Sequence, residues 1–133
     1  MTMTEDVNSY EEVPYQSVAL AETHPERLAA IATLFGMEPP PVENARILEL
    51  GCAGGGNLIP LANVLPNSRC VGVDLSPRQI ADAVKLAARA GATNVEFFAQ
   101  RINDLTPASG QVAYHPSHRT PSCAPAAVTA ATL

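Results

Sequence analysis

The chain has 133 residues and a mass of 13.9 kDa; 47% of the residues are hydrophobic, and the formal net charge is −5. This length predicts one small domain, and the hydrophobic content excludes a wholly disordered chain. Because the chain is acidic and has no basic run, we expect no nucleic-acid binding. Because no apolar stretch reaches about 18 residues, we expect no membrane span.

The cysteines indicate a cellular compartment. The chain has three in all, Cys52, Cys70 and Cys123, and their spacings suggest no disulfide framework and predict free thiols in a reducing cytoplasm. The polar, acidic segment at residues 1–12 does not resemble a secretory signal. We therefore expect a cytoplasmic protein, and we expect no metal site.

A helix is predicted to follow an irregular N-terminal arm at residues 1–22. Thr23 and Glu26 have the spacing of a capping box, and Pro25 lies in the first turn. Gly36 is expected to end the helix in the left-handed conformation. The apolar positions that recur at helical spacing are Leu28, Ile31, Ala32 and Phe35.

Two apolar segments flank a loop rich in glycine. Arg46–Leu50 predicts a buried parallel strand. Gly51–Asn57 holds four of the eight glycines, and Leu58–Leu65 after it predicts a helix. Cys70–Asp74 predicts the second strand.

A further helix and a third strand complete the regular part of the chain. Ser76 and Gln79 form a second capping box, with Pro77 at the first helical position. Gly91 is expected to end this helix, and Asn94–Phe98 predicts the third strand. The predicted apolar stripe of the helix is Ile80, Val84 and Ala87.

The alternation of strands and helices predicts the α/β class, with parallel strands joined by right-handed crossovers. We expect a Rossmann-like doubly wound parallel sheet, incomplete, with a preceding N-terminal helix. The predicted organisation is an arm at 1–22, a cofactor-binding half domain at 23–105 and a tail at 106–133.

The tail is predicted to be disordered. Of its 28 residues, 18 are Ala, Pro, Ser or Thr, and no helix or strand period is visible. At most, residues 112–114 are expected to form a very short strand.

The glycine loop and Asp74 together suggest a nucleoside cofactor. Residues without a Cβ allow a ligand to approach the backbone closely, and the helix after the loop begins with unpaired N–H groups. Asp74 ends the second strand, 23 residues after Gly51, where a carboxylate can accept hydrogen bonds from both ribose hydroxyls.

Glu49 discriminates between two kinds of cofactor. Gly51, Ala53 and Gly56 nearly match the dinucleotide fingerprint, which alone is a weak signal. A carboxylate at Glu49 would repel a pyrophosphate, whereas it suits the positive sulfonium and ammonium of S-adenosylmethionine.

At these residues the chain resembles class I S-adenosylmethionine-dependent methyltransferases. Ile47–Asn57 is similar to their first motif and Val71–Ser76 to their second. The longer pattern, over roughly residues 10–105, resembles the bacterial branch that carries a methyltransferase regulatory domain. The resemblance implies the class I methyltransferase type of Rossmann-like sheet, S-adenosylmethionine as cofactor and an unidentified methyl acceptor.

The resemblance also implies roles for single residues. Asp74 would bind the ribose and Leu75 would pack on the adenine, while Asp104 and the backbone N–H of Ile102 are candidates for adenine recognition. Tyr15 would fold over the cofactor. The predicted binding residues around the methionine moiety are Glu49, Gly51, Ala53 and Gly55, and the glycine loop also contributes Cys52, Gly54 and Asn57 to the predicted cofactor-binding residues. No catalytic residue is assigned.

The chain departs from this family at its end, because the family sheet has seven strands. We expect truncation after the third strand, a hypothesis that fails if no reading frame downstream of the gene encodes the missing motifs. A missing fourth strand would leave the first strand with an unpaired edge, so self-association is expected. Two alternatives stay open: an NAD(P)-binding oxidoreductase fragment, and a non-catalytic remnant or partner-binding module.

Overall fold

The computed structural model describes Val13, residues 16–105 and the backbone of residues 126–130. The helices of this part are α1 (Pro25–Leu34), α2 (Leu58–Val64) and α3 (Pro77–Ala90). The strands are β1 (Arg46–Leu50), β2 (Arg69–Asp74), β3 (Val95–Ala99) and β4 (Ala126–Ala130). Short 3-10 turns lie at Ala21–Thr23, Val42–Asn44 and Ile102–Asp104.

The strands form one parallel sheet in the order β3-β2-β1-β4. The chain proceeds from β1 outward to β2 and β3, and then returns to the other side of β1. A reversal of this kind defines a doubly wound sheet, whose ligands bind outside the carboxyl ends of the strands at the reversal. The predicted Rossmann-like doubly wound sheet with a preceding helix is therefore confirmed.

Strand β4 corrects two sequence predictions. Its residues 126–130 pair in parallel with Arg46–Leu50, so this stretch of the predicted tail is a strand. The same pairing covers the β1 edge that the sequence analysis predicts to be unpaired. Composition misled the prediction because three of the five residues of Ala126–Ala130 are Ala, which has little strand preference, whereas a free edge beside them offers a row of hydrogen-bond partners. The possible strand at 112–114 lies outside the described residues.

Helix α1 begins one residue later than its capping box predicts. The residue before its first turn is His24, whose Nδ1 accepts a hydrogen bond from the Glu26 N–H at 3.3 Å. Pro25 occupies the first helical position, and Gly36 has a φ of 74° just beyond the end, as predicted. Thr23 is not the cap because its hydroxyl donates to the Leu20 carbonyl instead.

The predicted apolar face of α1 is only partly covered within the described residues. Leu28 and Ala32 are half-buried, but Ile31 is exposed and Phe35 is 82% exposed. Leu34 is 85% exposed. The helical spacing thus predicts the helix correctly, but it does not predict which positions pack.

Helix α3 follows its predicted signals closely at both ends. The Ser76 hydroxyl accepts a hydrogen bond from the Gln79 N–H at 3.1 Å, and Gly91 ends the helix at a φ of 69°. The buried stripe is Ile80, Ala83 and Ala87, whereas the predicted Val84 is half exposed. Ala83 packs against the glycine loop, because its Cβ lies 3.2 Å from the position that a Cβ at Gly55 would take.

Side chains pack on both faces of the sheet. On one face Ile47 and Cys70 pack with Leu58, Ala62 and Leu65 of the α2 region. On the opposite face Leu48, Val71 and Val73 form a second cluster with Phe98 and Leu105. None of the helices in the described part of the chain combines the length and the apolar composition that crossing a membrane requires.

Candidate functional site

The glycine loop, residues 51–57, leaves the carboxyl end of β1 and is held against β2. The backbone N–H groups of Gly51 and Cys52 both donate to the Val73 carbonyl, at 2.8 and 3.1 Å. Gly55 has a φ of 76°, and a Cβ there would lie 2.9 Å from Ile59 Cδ1. The loop therefore turns tightly beside the end of β2, as the sequence predicts.

Glu49 is a buried carboxylate on the helix side of the sheet, just before this loop. Its side chain is 1% exposed, and its Oε1 accepts a hydrogen bond of 2.6 Å from Asn57 Nδ2. Its Oε2 has no hydrogen-bond partner among the described residues. Burial raises the pKa of the Glu49 carboxyl, and the Asn57 hydrogen bond opposes this rise in part. A buried carboxylate oxygen without a donor is costly, so it marks a place where a cation or a donor group can bind.

Asp74 ends β2 with its carboxylate fixed by the backbone on both sides. Its Oδ2 accepts from the Ala53 N–H and its Oδ1 from the Ser76 N–H, each at 2.9 Å. The first bond ties Asp74 to the glycine loop, and the second ties it to the start of α3. Because each carboxylate oxygen can accept more than one hydrogen bond, the fixed carboxylate can still accept from a pair of hydroxyls.

The two carboxylates flank the same loop. Burial raises the pKa of the Cys52 thiol above its ordinary value, and the negative charges of Asp74 and then Glu49 raise it further. Cys52 Sγ packs against Gly72, where a Cβ would come within 2.8 Å of it. The Cys52 side chain therefore fills the core beneath the loop.

A segment before α1 lies across the glycine loop. The Gly56 N–H donates to Ser17 Oγ at 2.7 Å, and a Cβ at Gly56 would lie 2.5 Å from the Ser17 carbonyl oxygen. A Cβ at Gly54 would meet the Ser17 Cβ at an ordinary 3.6 Å. The absence of a side chain at Gly56 thus accommodates protein backbone, a use that the sequence analysis missed because no motif marks Ser17.

Asn57, a predicted cofactor contact, forms hydrogen bonds from its side chain to the protein itself. It is buried, and its Oδ1 accepts from the Leu20 N–H at 2.8 Å. Its Nδ2 donates to Glu49 Oε1 and, at 3.0 Å, to Thr23 Oγ1. The amide therefore serves protein partners on both sides. Its position next to the glycines suggested ligand contact, and the long-range partners Leu20 and Thr23 were not visible from spacing.

The remaining predicted residues lie at the same end of the sheet or outside the described part. Leu75 follows Asp74 and is partly exposed, and Ile102 and Asp104 occupy the exposed 3-10 turn after β3. The Gln100 N–H donates to the Asp74 carbonyl at 2.9 Å, which joins this turn to the end of β2. Tyr15 lies outside the described residues.

Comparison with known proteins identifies the family to which this architecture belongs. A sequence profile described as "Methyltransferase domain" matches residues 41–124, which is more than half of the chain. The uncharacterized protein RP789 of Rickettsia prowazekii is 48% identical over 120 residues, covering 90% of this chain and 22% of that protein. RP028 of the same organism is 42% identical over 110 residues, covering 83% of this chain and 44% of that protein.

A solved structure has the same fold. PKMT2 from Rickettsia typhi, in complex with AdoHcy (S-adenosylhomocysteine), superposes with a TM-score of 0.69 at 40% identity. The match covers 72% of this chain and 18% of that chain. The chain thus spans less than half of the length of each of these relatives.

Proposed function

Because the chain belongs to the methyltransferase-domain family, we propose that it is the cofactor-binding part of an S-adenosylmethionine-dependent methyltransferase. The observation that carries this proposal is the Glu49 carboxylate, which is buried beside the glycine loop with Oε2 unpartnered among the described residues. A ligand that brings positive charge and N–H donors to this place compensates the buried carboxylate. The relative PKMT2 in complex with AdoHcy supports a cofactor of this class.

In this proposal each group at the carboxyl ends of the strands has one role. Glu49 Oε2 accepts from the cationic methionine part of the cofactor, and the loop backbone from Gly51 to Gly55 gives it room. Asp74, fixed by the Ala53 and Ser76 N–H groups, accepts from the ribose hydroxyls. Leu75 packs on the adenine, with Ile102 and Asp104 at its edge.

When bound, S-adenosylmethionine supplies a methyl group on a sulfonium, which an acceptor nucleophile takes by in-line displacement as the sulfur leaves as a thioether. The protein contributes orientation and the exclusion of water. We assign no catalytic residue and no acceptor. This chain spans only part of the length of its relatives, so the methyl acceptor is to be identified by experiment.

The two alternatives make different predictions. A dinucleotide would place its negative pyrophosphate beside the buried Glu49, which is electrostatically unfavourable. A non-catalytic remnant would bind the cofactor and transfer no methyl group.

We further propose a cytoplasmic location, which the free thiols of Cys52 and Cys70 support.

Substitution of Asp74 tests the proposed function. Asp74→Ala removes the acceptor for the ribose, whose charge-assisted hydrogen bonds are worth about 1.5–3 kcal/mol each, so AdoHcy binding should weaken at least ~10-fold in calorimetric titration. Asp82→Ala is the matched control, because Asp82 is exposed on α3 and pairs only loosely with Lys85. An unchanged dissociation constant for Asp74→Ala would refute the placement of the ribose.

A further inference from the structure

One buried amide connects the segment before α1 to the Glu49 carboxylate. Asn57 Oδ1 accepts from the Leu20 N–H, and its Nδ2 donates to Glu49 Oε1. The Thr23 hydroxyl accepts from the same Nδ2 and donates to the Leu20 carbonyl. Leu20 and Thr23, which lie 37 and 34 positions before Asn57 in the chain, are thus joined to the glycine loop through the Asn57 side chain.

The chemistry of these partners fixes the orientation of the amide. If the Asn57 amide were turned over, its NH2 group would face the Leu20 N–H and its carbonyl would face the Glu49 carboxylate. Both contacts would then be repulsive, because donor would meet donor and acceptor would meet acceptor. The observed orientation therefore requires the Leu20 N–H on one side and Glu49 Oε1 on the other.

The same network determines which carboxylate oxygen is left over. Because Asn57 occupies Oε1, it is Oε2 of Glu49 that lacks a partner among the described residues. The segment before α1 contacts the glycine loop at a second point, where the Gly56 N–H donates to Ser17 Oγ. Glu49, Asn57 and the segment Ser17–Thr23 consequently form one connected unit.

We propose that Asn57 is a positioning residue, whose amide couples the order of the segment Ser17–Thr23 to the orientation of the Glu49 carboxylate. A ligand that holds Glu49 in place stabilises the segment, and a segment in place presents Glu49 to the ligand. Coupling between two sites is reciprocal, so each half can be measured separately. The ligand half rests on the proposed function, whereas the segment half does not.

The segment half is tested on the full chain without ligand, by hydrogen exchange at the Leu20 amide. Glu49→Ala removes the charged one of the two acceptors of Asn57 Nδ2 and should accelerate Leu20 exchange by ~10-fold, as expected for the loss of a charge-assisted bond. Glu49→Gln keeps an oxygen facing Asn57 and should leave Leu20 exchange within about twofold of the parent. Equal exchange in a folded Glu49→Ala and in the parent would overturn the coupling.

The ligand half uses two substitutions with the same charge change. Asn57→Asp keeps an acceptor for the Leu20 N–H but replaces the donor to Glu49 by a second carboxylate, so AdoHcy should bind ~10-fold or more weakly and the Leu20 amide should exchange faster than in the parent. Asn63→Asp adds the same charge at an exposed position of α2 and should change neither quantity. Unchanged AdoHcy affinity in Asn57→Asp would overturn the role of Asn57.

The outcomes separate the two proposals. If the parent chain does not bind AdoHcy, the proposed function fails, while the exchange comparison still decides the coupling. If Asn57→Asp does not fold, Thr23→Val removes one partner of the amide and should accelerate Leu20 exchange. If the Leu20 amide exchanges at the parent rate both in Thr23→Val and in Glu49→Ala, the proposal is refuted.

Discussion

Glu49 and Asp74 are both acidic residues at strand ends, but their surroundings differ in the donors that they offer. Asp74 receives two backbone N–H groups, whereas Glu49 receives one side-chain amide and keeps one buried oxygen without a partner among the described residues. Asp74 is thus stabilised by the fold itself. The charged form of the Glu49 carboxyl is destabilised by burial, which is typical of residues at ligand-binding sites.

The destabilisation of Glu49 gives a pH-dependent prediction. Because burial raises the Glu49 pKa in the folded chain, the folded chain binds this proton more tightly than the unfolded chain does. The free energy of unfolding therefore falls as the pH rises from the ordinary glutamate pKa through the raised one. The Cys52 and Cys70 thiols near Glu49 have raised pKa values and stay neutral over this range.

Glu49→Gln removes the titrating group, so its gain in the free energy of unfolding should be larger at about pH 8 than at about pH 4. Urea unfolding of the full chain at both pH values measures this difference. Glu43→Gln, at an exposed glutamate, serves as the control and should show no such pattern. A gain of equal size at both pH values would contradict the explanation by titration.

At the scale of elements, the glycine loop and the segment at Ser17–Thr23 behave as one packed pair. Gly56→Ala would place a methyl group 2.5 Å from the Ser17 carbonyl oxygen, so the segment must move. We expect ~10-fold faster exchange of the Gly56-position amide, which loses its bond to Ser17 Oγ. Gly54→Ala is the matched control, because its methyl group would make an ordinary 3.6 Å contact with Ser17. Equal exchange in the two variants would show that the segment does not rest on the loop.

Some features of the helices and strands can be predicted from the sequence, and others cannot. Strand β1 and the ends of α3 were predicted correctly, because apolar runs, Ser76 and Gly91 act through local backbone chemistry. The cap of α1, the buried Ala83 and the contacts of Ser17 were not predicted. Each of these depends on a partner distant in the chain, which local spacing does not encode.

The same distinction applies to the candidate site, where local patterns predict some residues and distant contacts determine others. Glu49, the loop and Asp74 were predicted as neighbours because parallel strands bring their carboxyl ends together. The use of Asn57 by Leu20 and Thr23 was missed, because it requires the fold of the segment before α1.

At the scale of the whole molecule, β4 makes β1 an interior strand. Both sides of Arg46–Leu50 are paired, with β2 on one side and β4 on the other. A chain that ends at residue 125 would lose this pairing and expose the backbone groups of β1. We expect that shortened chain to self-associate in sedimentation experiments, since an exposed edge strand pairs with other chains.

The control for this truncation is a chain that lacks only residues 131–133 and keeps the whole of β4. It should sediment as the full chain does. A monomeric chain ending at residue 125, with an unchanged unfolding midpoint, would show that β4 does not protect the sheet.

We expect the buried Glu49 carboxylate, whose Oε2 has no partner among the described residues, to select a nucleoside with a cationic amino-acid part. Calorimetric titration of the full chain with AdoHcy and, separately, with NAD tests this claim most directly. We predict a saturable heat of binding for AdoHcy and none for NAD at the same concentrations. Binding of NAD without binding of AdoHcy would contradict the account.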